Sequence, residues 1–191
     1  MSPIKTSILF ILYATISLGI VYPIVIYGLT FFPFNNEQKG LPLVHNNRIV
    51  GYRNIVQQFS SDYYFHGRPS ATQFATIPSG ASNVSPYSKT MIATSKKFTD
   101  SIRSHGYSGI IPSDLLTQSA SGLDPDISLE SAVMQVQRIA KARKVHSEKI
   151  LSFVTSIVKN PQFAIFGTTR VNVLELNILL DQTYPYNKEW N

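Results

Sequence analysis

From Ser7 to Phe32 the chain carries no charged residue, whereas beyond Phe34 short apolar runs are broken by polar residues and charges of both signs. As a helix the apolar block Ile8–Phe32 would extend roughly 37 Å, against a hydrocarbon core of roughly 30 Å. The expectation is a transmembrane helix with some tilt. A removed signal peptide is the competing reading, but its apolar region would be about 7–15 residues and end at small residues. This block runs instead into Phe31, Phe32, Pro33 and Phe34, so an uncleaved anchor is expected. Pro23 lies inside the span, where it removes one backbone donor and crowds the carbonyl of Gly19, which predicts a kink. Thr15 and Gly19 are small residues four apart on one face, a spacing that lets a second helix approach closely. Thr15, Gly19 and Pro23 are therefore the candidate packing positions, against the plainer reading that the helix only anchors.

The rest of the chain switches between helical periodicity and turn chemistry. Asn35–Asn47 is polar and turn-rich and reads as a linker. Arg48–Phe59, rich in Ile, Val and Tyr, reads as a strand leading into a turn or short helix. Phe65–Ala93 is long, aperiodic and rich in Gly, Pro, Ser, Thr and Asn, which is unusual in a compact domain and often functional. Ser88–His105 reads as a helix with Met91, Ser95, Phe98 and Ile102 on one face and Gly106 as its stop. Pro112–Ile127 is again turn-rich. Ser128 caps an expected helix to about Lys144 with inner face Ala132, Val133, Val136, Ile139 and Ala140. A further helix is expected from Ser147 to about Lys159, lined by Ile150, Leu151, Val154, Ile157 and Val158. Phe163–Val171 reads as a strand or two around Gly167. Asn172 with Glu175 resembles a capping box opening a last helix through Asp181. The reading is an anchor (1–34), a linker (35–47) and one soluble domain (48–191). That domain is mixed α+β, with a small sheet and several packed helices.

Composition changes this picture little. The formal net charge of +6 fits anionic headgroups or an acidic partner, and is too modest to imply nucleic acid. The chain has no cysteine, which excludes disulfides, thiol catalysis and cysteine metal sites. Positive charge lies too evenly about the span to orient it.

Candidate chemistry is sparse. Asp124-Pro125-Asp126 is the most metal-like cluster, but a calcium loop needs more ligands at set spacing. Acids leading into a capped helix read better as partners of its dipole. His45, His66, His105 and His146 show no metal-ligand spacing on one helix and read as surface residues. There is no Gly-x-Ser-x-Gly elbow and no phosphate-cradling glycine loop. Arg138, Lys141, Arg143, Lys144 and Lys149 read as a solvated helix face. No catalytic, cofactor or metal residue is assigned. Tyr63, Tyr64 and Phe65 fit burial as well as binding.

Five segments, in order behind the single span, resemble the KdpC family, the small subunits of Kdp potassium-importing P-type ATPase complexes. They are Tyr64-Phe65-His66-Gly67-Arg68-Pro69-Ser70-Ala71; Ser79-Gly80-Ala81-Ser82-Asn83; Ser119 through Ser128; Gln135 through Arg143; and Arg170 through Asn177 with Leu180-Asp181. Two places depart from the family pattern: Gly51-Tyr52 where Gly-Ser is usual, and Ser82-Asn83-Val84-Ser85-Pro86-Tyr87-Ser88-Lys89 where the family reads Ser-Asn-Leu-Gly-Pro-Ser-Asn-Pro. These put local loop detail in question.

The resemblance implies a non-catalytic accessory subunit that stabilises an ATP-driven potassium import complex and shapes ion entry. The implied partners are a channel-like potassium-binding subunit (KdpA-like), a pump subunit (KdpB-like), a small single-helix subunit (KdpF-like) and membrane lipid. ATP and potassium are then used by the complex, and none is bound by this chain. The chain lacks the Asp-Lys-Thr-Gly-Thr phosphorylation motif of such pumps. The resemblance also implies the cytoplasmic membrane, with the soluble domain outside. A helper raising the pump's ATP affinity and, in a different class, an anchored envelope hydrolase are the alternatives. The residues expected to brace the loops or dock a partner are Gly67, Arg68, Pro69, Ser70, Ser82, Asn83, Ser121, Gly122, Leu123 and Asp124, with Arg68 and Asp124 a candidate pair.

Overall fold

The computed structural model describes residues 2–31, 33–34, 37, 40–45 and 47–185. The chain divides into an N-terminal unit ending at Pro42 and a larger unit from Leu43 onward.

The first unit is one apolar helix. Helix α1 (Pro3–Ile16) passes through a π-helical turn (Ser17–Val21) into α2 (Tyr22–Phe31), giving 29 continuous residues, long and apolar enough to cross a membrane. It begins before Ile8 because Pro3 sits at the first helical position, where a missing N–H costs nothing. None of its side chains is buried. Near its two ends hydroxyls turn back on the backbone: Ser7 Oγ donates to the Pro3 carbonyl at 3.0 Å and Thr30 Oγ1 to the Ile26 carbonyl at 2.9 Å. The effect of Pro23 is a change of register. The turn before it widens, and the Tyr22 N–H donates to the Ser17 carbonyl, five residues back. Phe32, the expected end of the span, lies outside the described residues, as do Asn35, Asn36, Gln38, Lys39 and Asn46 of the expected linker.

The larger unit holds two two-stranded sheets and four helices among its described residues. Strand β1 (Pro42–His45) pairs with β2 (Arg48–Tyr52). The stretch expected to be linker is therefore strand from Pro42. Its Leu43-Val44 pair is apolar enough to hold a hairpin, and Asn47 at φ +60° takes the left-handed position of the turn. Helix α3 (Lys89–Ser104) follows, capped by Ser88 Oγ accepting from Met91 N–H. A 3₁₀ turn (Ser113–Leu115) leads to β3 (Asp126–Ser128), then α4 (Leu129–Arg143) and α5 (Ser147–Ser156). Strand β4 (Arg170–Asn172) and α6 (Val173–Thr183) complete the described elements. β3 and β4 are antiparallel, with Ile127 opposite Val171.

The core lies where α4, α5 and α6 close over this β3–β4 pair. Ile127, Ala132, Val136, Ile139, Ile150, Val154, Val171, Leu176 and Leu180 are buried there with Phe65. Two positions expected on inner faces are not: Val133 is 38% exposed and Leu151 39%. Gln135 and Arg143 take part of the α4 face instead. α5 ends at Ser156, three residues short of expectation, because Lys159 pairs backbone to backbone with Arg170 and extends the sheet. The strand expected around Gly167 starts only at Arg170, and the preceding residues form an exposed turn closed by Gln162 and Phe166. Half of the capping box expected at Asn172 forms: its side chain accepts from Glu175 N–H at 3.0 Å, while the Glu175 carboxylate turns to Arg53 and Lys159.

Candidate functional site

The segment Tyr63–Ser70 has no strand partner, yet it runs through the middle of the domain. Two amide side chains replace the missing ladder. Asn177 on α6 accepts from the Phe65 N–H at 2.8 Å and donates to the Phe65 carbonyl at 2.9 Å. Gln135 on α4 treats the next residue alike, accepting from His66 N–H at 2.7 Å and donating to the His66 carbonyl at 3.1 Å. Both amides are buried, and each satisfies backbone groups that would be costly to leave unpaired. Phe65, fully buried, is thereby fixed in the core.

Arginines hold the start of the same segment. The Arg143 side chain is fully buried. It donates to the carbonyls of Tyr63 at 2.8 Å and Tyr184 at 2.7 Å, pairs with Asp181 at 2.7 Å, and stacks on the Tyr64 ring. The Tyr64 hydroxyl donates to the other Asp181 oxygen at 2.9 Å. Arg138 donates to the carbonyls of Asp62 and Tyr64, each at 2.9 Å. Burial lowers its guanidinium pKa from the usual value, opposed by Asp62. Two members of the basic stretch expected to be a solvated face are thus internal braces. Their long side chains reach unpaired carbonyls of a coil segment that no sheet satisfies.

The end of the segment meets the second turn-rich stretch. Arg68 pairs with Asp124 at 2.9 Å, and the Pro69 carbonyl accepts from Ser119 N–H at 3.0 Å. Ser70 Oγ donates to the Gly122 carbonyl at 2.7 Å and accepts from the N–H groups of Thr72 and Phe74. Gly122 sits at φ +73°, and a Cβ there would meet the Gly80 carbonyl at 2.9 Å. Only glycine lets the two loops touch. Ser121 Oγ accepts from Leu123 N–H, and the Leu123 carbonyl accepts from Val56 N–H. Gly67 packs on Val56. Of the expected residues, Gly67, Arg68, Pro69, Ser70, Ser121, Gly122, Leu123 and Asp124 thus come together. Ser82 and Asn83 are exposed and make no hydrogen bond with them among the described residues. In the membrane-length helix, Gly19 lies beside Thr15 on an exposed face, one turn before Pro23.

The acids are placed differently from expectation. Asp124 and Asp126 do not cap α4. Asp124 accepts from Asp126 N–H at 3.1 Å, closing a local turn, and Asp126 pairs with Arg170 at 3.0 Å. Burial raises the Asp126 carboxyl pKa, with Arg170 opposing. Besides Glu130 in its first turn, the α4 N-terminus is met by Asp114, from the 3₁₀ turn, which accepts from Ser128 N–H at 2.9 Å and from the Ser131 hydroxyl at 2.5 Å. Glu175 pairs with both Arg53 and Lys159.

His66 is half-buried, not a surface residue. Its Nε2 lies 3.0 Å from the Ser61 carbonyl, and burial, reinforced by Arg138, lowers its pKa from the usual value. The other described ring contacts run from His105 to the Ser101 carbonyl and from His45 to Gln182. No group of three His, Asp or Glu residues able to hold a metal occurs among the described residues. Two shallow surface depressions, of about 520 and about 390 Å³, lie along α4 and α5 away from the braced loops. The arrangement can order coil segments against a helical core.

Reading the sequence missed Gln135, Asn177, Asp114, Asp181 and the internal roles of Arg138 and Arg143. One signal was available. Gln135 and Asn177 interrupt apolar stripes, beside Val136 and beside Leu176, where a polar residue must find a buried partner.

The chain was compared with known proteins. The family model described as "KdpC: K+-transporting ATPase, c chain" matches residues 4–182. Among relatives, a potassium-transporting ATPase KdpC subunit of Bradyrhizobium diazoefficiens is 36% identical over 94% of this chain and 96% of its own length. The same-named subunit of Flavobacterium psychrophilum is 41% identical over 86% and 89%. That of Geobacter metallireducens is 40% identical over 97% and 100%. A match that takes in the membrane-length helix, both braced loops and the last helix leaves no part of the fold to a different relationship, and the chain belongs to the KdpC family.

Proposed function

We propose that the chain is an accessory subunit, without turnover of its own, of an ATP-driven potassium importer. In this reading it stabilises the assembly and shapes ion entry at a channel-like subunit, while a pump subunit hydrolyses ATP. The soluble domain then stands on the extracytoplasmic side of the membrane. One observation carries the proposal: the residues that mark the family are occupied with one another. Arg68 is held by Asp124, Ser70 by Gly122, Gln135 by His66, Arg143 by Asp181, and Asn172 by Glu175. A catalytic centre needs groups converging on space for a substrate. Here they converge on one another, as in the Arg68–Asp124 and Arg143–Asp181 pairs, and on backbone groups. The described histidine ring contacts go to the Ser61 and Ser101 carbonyls and to the Gln182 amide. The names of the relatives supply the potassium and the ATPase.

The Arg68–Asp124 pair is the place to test it, because it can serve either the fold or a partner. We assign it to the fold. Arg68→Ala is expected to lower the melting temperature of the full chain, and retention in the complex during detergent pull-down should fall only as far as stability does. A variant as stable as the parent yet lost from the complex would assign the pair to docking. Unchanged stability and unchanged retention would remove both roles. Cleavage of the soluble domain by protease added to sealed right-side-out vesicles tests the side.

A further inference from the structure

Between Ser156 and Glu175 there is no carboxylate; the charged residues of that stretch are Lys159 and Arg170. The structure folds it into a finger. Lys159 and Arg170 face each other at its base, joined by two backbone hydrogen bonds, and Gln162 and Phe166 close the tip. The tip is held by hydrogen bonds from the N–H groups of Ala164, Ile165 and Phe166 to the carbonyls of Pro161 and Gln162. On it Phe163 is 87% exposed, Ile165 77% and Phe166 66%. Three large apolar side chains within four residues, held outward by ordered backbone, are not the scattered exposure that any surface shows. Asn160, Gln162, Thr168 and Thr169 between tip and base are polar and uncharged.

We propose that this finger, residues 159–170, inserts its tip into the surface of the anionic bilayer that holds the chain's own apolar helix. The proposal rests on the membrane-anchored reading. Two observations choose lipid as the occupant. The first is the charge pattern: an apolar tip, an uncharged shaft and a cationic base match acyl chains, glycerol level and phosphates in order. Lys159 and Arg170 each keep a carboxylate partner, Glu175 and Asp126, yet remain 38% and 37% exposed, so each can also face phosphate. The second is the tether. The residues 32–42 reach at most about 40 Å when fully extended, so the larger unit never leaves the neighbourhood of the bilayer. Local concentration is then high, and a tip of three side chains suffices where a free domain would need more.

The absence of cysteine makes the test direct. A single nitroxide label is placed through Ile165→Cys in the full chain, reconstituted in vesicles of phosphatidylcholine and phosphatidylglycerol at seven to three. Collision with oxygen, which partitions into lipid, is compared with collision with a water-soluble nickel chelate. Labels at Leu18→Cys, in the apolar helix, and Tyr87→Cys, fully exposed elsewhere in the domain, are the references. The expected result is a label at 165 that is more shielded from nickel and more open to oxygen than the label at 87, with the label at 18 marking the limit of full burial in lipid. Phe163→Asp added to Ile165→Cys should abolish the shielding while leaving the melting temperature unchanged. A label at 165 as open to nickel as that at 87 overturns the proposal. So does shielding that arises only when the other subunits of the complex are added, which would assign the tip to a protein. If the label at 18 is itself open to nickel, the anchor reading fails first, a result distinct from failure of the finger alone.

Discussion

Arg143 shows how much one side chain can organise. It has no exposed surface, and its donors are taken by carbonyls from two separate segments and by the Asp181 carboxylate. Replacing it with Ala leaves the carbonyls it bonded without that donor, so Arg143→Ala should cost about 2 kcal/mol of stability, while Asp181, a third exposed, can turn to water. Arg143→Lys keeps the charge but loses the fork and the stack on Tyr64, and should recover only part of that. Thermal or denaturant melts of the two variants check both. His66 makes a pH prediction. Its pKa in the fold is lowered, first by burial and then by Arg138. The unfolded chain therefore takes up a proton near pH 6.5 that the fold accepts only at lower pH, and stability falls as pH drops through that window. Above it His66 contributes no pH dependence. Asp126, whose pKa is raised, acts in the opposite sense and in the carboxylate range. Melts between pH 7.5 and 5.5 should show the loss, and His66→Gln should flatten it.

At the scale of elements, the helices were legible and the coil was not. Serine caps at Ser88 and Ser128 and the Asn172–Glu175 box mark three helix starts, because each is a local bond between residues three apart. The apolar stripe of α4 was legible to within one residue. Val136 is buried, while Val133, a turn away, lies on the rim. Val136→Asp should abolish cooperative unfolding and Val133→Asp should shift the melting temperature only slightly, since one buries a charge and the other does not. Equal effects would mean that the face is misassigned. The Tyr63–Ser70 coil was flagged by its lack of periodicity and by the resemblance, but not by its partners. Its bonds join residues 69 and 112 positions apart, and no local pattern encodes such distances. The Arg68–Asp124 pair was anticipated from chemistry, since a guanidinium in a polar loop needs an acceptor. Asp114 was not, because the 3₁₀ turn that aims it at α4 has no periodicity to betray it.

At the scale of the whole molecule, the same separation of patterns that divides the sequence divides the structure. The apolar helix buries none of its own side chains, whereas the core of the larger unit is built from residues between Phe65 and Leu180. Every bond that fixes the Tyr63–Ser70 segment also lies within that unit. The two parts therefore depend on different solvents. The helix satisfies its backbone internally and needs lipid for its side chains. The domain satisfies its backbone partly through Gln135, Asn177, Arg138 and Arg143, and is expected to fold without lipid. A chain beginning at Gly40, which keeps β1 and everything after it, should then be soluble without detergent and melt in one cooperative transition. Its melting temperature should match that of the full chain in detergent, and Arg143→Ala should lower both equally. Aggregation of the shortened chain, or a melt that lacks cooperativity, would show that the domain draws stability from the helix or its surroundings. Calorimetry on the two chains, with Arg143→Ala in each, decides the matter.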